Sequence, residues 1–253
     1  MAIAFYGTSD RGDRREVNQD AILLKAEKIG NHDVGLFLVA DGMGGLEQGE
    51  IISNYIAEQF KRWFEVDLVE IIYSGQTSDD EIHELLEQEI WDINLAIKKY
   101  AETNTVKCGS TLSLLFILDE RFYIKNLGDS RVYLFRKNQL SQLSEDQSLV
   151  AKKVRSGELS EEEARTFPKK NVLTMCIGFF IKPEIFSISG KTGKEDVFLL
   201  CSDGFHNHFD ETAVRSILNS NASLHEKCEN LRALINPGDA RDNVSIILVD
   251  MNG

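Results

Sequence analysis

Proline is scarce in this sequence: Pro168, Pro183 and Pro237 are the only three among 253 residues. No Pro/Gly/Ser-rich tract marks a linker, so residues 1–253 are expected to form one domain. Cysteine is scarce as well. Cys108, Cys176, Cys201 and Cys228 are widely separated and contain no C-x-x-C pair, which excludes a disulfide framework and a structural zinc site. Positive charge is short, with 28 Lys and Arg against 41 Asp and Glu, a net charge of -13 and a pI near 4.9. Binding to nucleic acid needs a basic face to displace counterions, so a nucleic-acid partner is excluded. Long apolar runs are missing too: the longest, Leu112 to Leu118, is far too short to span a bilayer and contains Ser113. Met1 to Asp10 has no basic stretch followed by an apolar run, so no signal peptide is read and a cytoplasmic location is expected.

What is present is a globular composition, 42% hydrophobic and 27% charged, enough to fill a large core. Val34 to Ala40 (VGLFLVA) predicts a buried strand. Thr111–Leu118 and Phe122–Leu127 predict a hairpin, Arg131–Phe135 and Gln139–Leu143 a second one turning at Lys137-Asn138, and Val197–Cys201 and Val244–Asp250 further strands. Helical period replaces alternation elsewhere. Ile51, Ile52, Tyr55, Ile56, Phe60 and Trp63 recur at three- and four-residue spacing, as do Ile82, Leu85, Leu86, Ile93, Ile97 and Tyr100. Leu149 to Ala164 is loosely helical with Gly157 interrupting it, and Glu211 to Asn236 carries one or two more helices. Runs of strands separated from runs of helices imply an α+β layered domain rather than βαβ units.

The informative feature is where aspartates fall. Asp41 follows VGLFLVA, Asp129 follows FYIKNLG, Asp203 follows VFLLCS, Asp242 precedes VSIILV, and Asp20 begins AILL. Side chains from separate strand ends can converge on one sheet edge. Clustered carboxylates repel and stay protonated unless cations neutralise them. Hard oxygen donors suit Mg²⁺ or Mn²⁺, and two such ions roughly 3.5–4 Å apart can activate water for an in-line phosphoryl displacement. Asp-Gly is also an ordinary turn signal, and any one of these residues could be a turn or cap.

Taken in order, these segments resemble the metal-dependent protein phosphatases, the type 2C serine/threonine phosphatases, in their bacterial branch. The resemblance rests on Ser9-Asp10-Arg11-Gly12 with Arg15-Glu16-Val17-Asn18-Gln19-Asp20, Val39-Ala40-Asp41-Gly42-Met43-Gly44-Gly45, Gly109-Ser110-Thr111, Asn126-Leu127-Gly128-Asp129-Ser130-Arg131, Cys201-Ser202-Asp203-Gly204 and Asp242-Asn243-Val244-Ser245. It implies an α/β/β/α sandwich of two antiparallel sheets flanked by helices, with a cleft for two Mn²⁺ or Mg²⁺ ions and a weaker third. On the same analogy Asp41 bridges the two ions, the Gly42 carbonyl binds one, and Asp203 and Asp242 bind the other. Asp20 holds water in the outer shell, Asp129 joins Asp203 at the third ion, and Arg15 clamps the substrate phosphate. The implied reaction is hydrolysis of phosphoserine and phosphothreonine by a metal-activated water, without a phosphoenzyme. The implied partners are phosphorylated proteins, a cognate serine/threonine kinase and its targets, in bacterial signalling. A monomer is the simplest expectation.

Several positions depart from the pattern. Met43 stands where many eukaryotic members have a histidine acid, which leaves His206 and His208 as conceivable donors or as two exposed loop histidines. Gln19 replaces a glutamate of some relatives, and Asn207 an aspartate at the third ion. In the flap, Asp146 to Lys170, a frequent Asp-His pair is Asp146-Gln147, and Thr174-Met175-Cys176-Ile177-Gly178 follows it. Other phosphatase chemistries are excluded. No cysteine is followed six positions on by arginine (Leu114, Lys182, Asn207 and Leu234 stand there), no early D-x-D follows a strand, and Gly190-Lys191-Thr192 lacks its P-loop glycine, which is Ile185. Two alternatives stay open: an inactive phosphoprotein-binding member, and a two-metal hydrolase of phosphodiesters or small phosphates.

Overall fold

The computed structural model describes residues 3–45, 48–75, 77–169, 171–236 and 238–252; Met1, Lys170 and Pro237, named above, lie outside them. Eleven strands and eight α-helices follow one another among these residues. First come β1 (Ala4–Asp10), β2 (Asp20–Ile29), β3 (His32–Gly44) and α1 (Gln48–Arg62). A π-helical turn (Trp63–Asp67), α2 (Leu68–Ser74) and α3 (Asp79–Asn104) come next. Then β4 (Cys108–Ser110), β5 (Leu112–Leu118), β6 (Arg121–Leu127), β7 (Arg131–Arg136) and β8 (Gln139–Gln142) run in succession. The chain ends through α4 (Leu149–Arg155), α5 (Glu161–Arg165), β9 (Phe186–Lys191), β10 (Val197–Cys201), α6 (Asp203–His206), α7 (Glu211–Leu218), α8 (Leu224–Arg232) and β11 (Val244–Asp250).

The strands form two antiparallel sheets, β1-β11-β10-β7-β8 and β2-β3-β5-β6-β9, with β4 pairing the end of β3. Strand period explains why VGLFLVA is apolar throughout. Phe37 and Val39 point between the sheets and meet Phe198, Leu200, Ile247 and Val249 there. Leu36, Leu38 and Ala40 point the other way, under Ile52, Ile56 and Phe60 of α1 and Ile82, Leu86 and Ile93 of α3. The second sheet is covered likewise: Leu199, Cys201, Ile246 and Leu248 pack on Val214 and Leu218 of α7 and Cys228 and Leu231 of α8. Three apolar layers between four layers of structure make the α/β/β/α sandwich.

Local chemistry agrees with this order. Ser78 caps α3 in a reciprocal box with Glu81, and Ser223 does the same for α8 with Glu226. The β7–β8 hairpin turns on Lys137 and Asn138, both left-handed at φ 51° and 62°, the geometry a tight hairpin needs. Three strands have no counterpart in the hydrophobic pattern: β4 is only three residues long, and β1 and β9 are sheet edges, half-exposed, so that AFYGTSD and FSISGK are mixed in character. The π turn joining α1 to α2 is equally invisible in the apolar spacing, because Trp63 and Phe64 are buried on both sides of it. Among the described residues no helix is long and apolar enough to cross a membrane.

Candidate active site

Strand register gathers the aspartates. Asp20 and Asp41 are cross-strand partners at one end of the β2–β3 pair. In the other sheet Cys201 lies opposite both Arg131 and Ile246, so Asp129, Asp203 and Asp242, each close to the end of one of these three strands, come to a common edge. Gly204 enables the approach. A Cβ there would lie 2.0 Å from the Asn243 carbonyl oxygen, so only glycine lets α6 start against the segment carrying Asp242. Asp41 is not a turn residue, since β3 continues through it to Gly44, and Asp203 opens a short helix.

The aspartates are tied in by their neighbours. The Asp41 backbone N–H donates to Thr111 Oγ1 at 2.9 Å, and its carbonyl accepts Thr111 N–H at 2.9 Å and Ser110 Oγ at 3.0 Å. Ser245 Oγ donates to Asp20 Oδ2 at 2.7 Å and stands 2.8 Å from Ser9 Oγ, which accepts from Asn18 Nδ2 at 2.8 Å. Asn243 straps the N-terminal loop on: its Oδ1 accepts Gln19 N–H, and its Nδ2 donates to the carbonyls of Arg11 and Val17. Thr111, Ser245 and Asn243 belong to segments quoted above but carried no assigned role there. Polar residues beside an aspartate motif, on strands otherwise apolar, are the signal that would single them out.

Electrostatics follow from the crowding. Burial raises Asp20 to about 7, with Asp203 and Asp242 adding to it while Ser245 and Ser202 pull it down. Burial, then Asp20, Asp203, Asp129 and Asp242, hold Asp41 well above the usual carboxylate range. Asp129 is pushed up to about 8 by burial, Asp203 and Asp146 against the pull of Arg131. Arg15 Nη2 donates to Asp242 Oδ2 at 2.8 Å, and that bond, with Asp242, Asp41 and Asp203 in range, raises the guanidinium further.

These residues fit hard divalent cations. The donors are oxygens only, and ionising them together without added positive charge is unfavourable. Among the described residues no three acidic, histidine or cysteine side chains close on one point. An ion that keeps several waters and takes one or two carboxylates asks for no such cage.

The structure separates the two histidines. His206 lies on α6, and its Nε2–H donates to the Asp129 carbonyl at 2.9 Å. Burial and nearby Arg131 push it down to about 3, and its bond to the Asp129 carbonyl means that it is not a free loop residue. His208 is exposed. Asn207 reaches Asp203 Oδ2 only at 3.4 Å. In the flap, Asp146 grips Arg131 through two guanidinium nitrogens. Gln147 clamps Gly128, donating its N–H to the carbonyl at 2.8 Å and accepting the Gly128 N–H on Oε1 at 3.2 Å, beside Asp129. Gly190 and Lys191 end edge strand β9, and Thr192 follows it, so this segment is a strand end and not a loop leading into a helix.

Aspartates from distant segments thus gather at one end of a double-sheet sandwich, within electrostatic range of one another. The chain belongs to the protein phosphatase 2C family, whose sequence profile matches residues 7–236. It is 34% identical to the serine/threonine phosphatase stp of Listeria welshimeri over 96% of this chain and 94% of that one. It is 30% identical to the protein phosphatase PhpP of Streptococcus pneumoniae over 96% of both. Among solved structures, the serine/threonine phosphatase of S. agalactiae superposes with a TM-score of 0.87 at 28% identity, over 98% of this chain and 99% of that one. The protein is therefore an enzyme, a serine/threonine phosphatase of the bacterial, metal-dependent type.

Proposed function

We propose that the cleft binds two Mn²⁺ or Mg²⁺ ions, with a weaker third, and dephosphorylates phosphoserine and phosphothreonine on proteins of a kinase-driven signalling system. One observation carries this: Asp20, Asp41, Asp129, Asp203 and Asp242, from five separate segments, share one edge of the sandwich and lie within electrostatic range of one another. Bound cations supply Lewis acidity, lowering the pKa of water and neutralising charge on the transferred phosphoryl group. The roles proposed for the chain's own groups are those that the resemblance to type 2C phosphatases implies. Asp41, central to the cluster, would hold both ions, with the Gly42 carbonyl as a ligand to one of them. Asp203 and Asp242 would hold the other, and Asp129 with Asp203 the third. Asp20, held by Ser245, would orient water near the ions. Arg15 spends one nitrogen on Asp242 and keeps its other N–H donors for the substrate phosphate, which a planar guanidinium can grip in pairs. The expected setting is cytoplasmic and monomeric, with a cognate serine/threonine kinase and its targets as partners.

The test is hydrolysis of a phosphothreonine peptide as Mn²⁺ is titrated, for wild type and Asp203→Ala. Metal-dependent phosphate release that falls more than about 100-fold in the variant is expected. Well-folded wild type that turns over neither this peptide nor an aryl phosphate would instead make the protein a phosphoprotein-binding module.

A further inference from the structure

We propose that Gly49, in the first turn of α1, is a positioning residue that fixes the Gly42 carbonyl and so sets the affinity of the cleft for divalent cations. This rests on the two-ion reading above, in which the Gly42 carbonyl is a ligand. The two glycines meet backbone to backbone. A Cβ on Gly42 would lie 2.0 Å from the Gly49 carbonyl oxygen, and a Cβ on Gly49 would lie 2.6 Å from the Gly42 carbonyl oxygen and 2.8 Å from its carbon. Both are far inside the approach that real Cβ atoms make. On its other side the Gly42 peptide is tethered, its N–H donating to the Gln19 carbonyl at 3.0 Å, while Ser110 pairs with it across β4. Gly42 is thus held at both of its peptides: the N–H of the Asp41–Gly42 peptide is tethered to Gln19, and the carbonyl of the Gly42–Met43 peptide faces the bare Cα of Gly49.

Space, not backbone conformation, is what requires glycine here. The φ of Gly49 lies outside the left-handed region, so alanine can adopt the same helical angles and by propensity favours them by roughly 1 kcal/mol. Gly45, four residues earlier, makes the contrast: a Cβ there meets nothing within 4 Å. An added methyl at residue 49 would displace the Gln19 side chain, whose Nε2 it would meet at 2.6 Å, and would also require α1 to move or the Gly42 carbonyl to turn away. Either motion re-aims the carbonyl. Groups that orient a metal ligand from behind typically govern affinity by about 10- to 100-fold.

The experiment is calorimetric titration of Mn²⁺ into wild type, Gly49→Ala and Gly45→Ala, with thermal melting of each protein before metal is added. Gly49→Ala is expected to bind Mn²⁺ about 10- to 100-fold more weakly, and Gly45→Ala within about twofold of wild type. Activity of Gly49→Ala should show the same split, a raised Mn²⁺ requirement with most of kcat recovered at saturating metal. A folded Gly49→Ala that binds Mn²⁺ like wild type overturns the inference and leaves the two-ion reading intact. Wild type that binds no Mn²⁺ overturns that reading itself. Should Gly49→Ala fail to fold, hydrogen exchange on wild type decides: Mg²⁺ must slow exchange in the first turns of α1, and unchanged exchange there sinks the proposal.

Discussion

Arg15 and Asp242 form an ion pair whose side chains are 48% and 33% exposed, so the pair contributes little to the fold. Its interest is chemical, because one residue is assigned to the phosphate and the other to a cation. Replacing Arg15 by Ala removes a charged donor to the substrate and also a positive charge competing for Asp242. The expected result is a kcat/KM lower by about 10- to 100-fold, the equivalent of one charge-assisted hydrogen bond, carried mainly by KM. Mn²⁺ should bind Arg15→Ala at least as tightly as wild type. A variant with weakened Mn²⁺ affinity and unchanged KM would mean that Arg15 supports the metal ligands and not the substrate.

At the scale of elements, α3 is fastened to the sheet by a polar ladder. Arg121 and Tyr123 of β6 both reach Asp79, at 2.8 and 2.5 Å. Lys125, two residues further along, reaches Glu87 at 2.6 Å and Ser187 at 2.9 Å, and His83 meets Ser187. Asp79 thus serves two positions of β6, and Glu87, about two turns further along α3, serves the third. The Lys125 side chain is wholly buried, which is tolerable only because Glu87 and Ser187 satisfy it. Two residues beyond Glu87 on α3 the balance is unfavourable. Burial, with Asp67 and Asp92, raises Glu89 to about 7, against the pull of Arg62. The native protein therefore retains a proton on Glu89 up to about pH 7, whereas the unfolded chain loses it near 4.3. Native binds more protons than unfolded in that window, so this group costs stability as pH rises through it. Glu89→Gln should match wild type in thermal melting at about pH 4.5 and melt about 3 °C higher at about pH 8. Equal melting at both pH values would place Glu89 in solvent.

For the whole molecule, the apolar layers and the acidic edge have separate jobs. The core packs between and outside the sheets, while the aspartates sit at one end, so the fold should persist without metal. Chelation should leave the far-UV circular dichroism spectrum unchanged. Adding Mn²⁺ to about 100 times its Kd should stabilise the protein by about 2.7 kcal/mol, because only the native state assembles the site. A metal-free protein that is already unfolded would mean that repulsion among the carboxylates outweighs the core.

The sequence by itself determined the layered α+β class, the helical stripes of α1 and α3, the buried strands, and which aspartates stand at strand ends. Each depends on local period or on short motifs: 36, 38 and 40 against 37 and 39 within one strand, or an aspartate next to an apolar run. Edge strands β1 and β9 stayed hidden because an edge is half-solvated and needs no strict alternation. The tertiary structure alone decided what stands beside each aspartate. Ser245 on Asp20, Thr111 on Asp41, His206 on the Asp129 carbonyl and Gly49 on Gly42 are contacts across many residues of chain or between two sheets. Composition and spacing carry no record of such contacts, because they are set by strand register and by how closely two backbones pack.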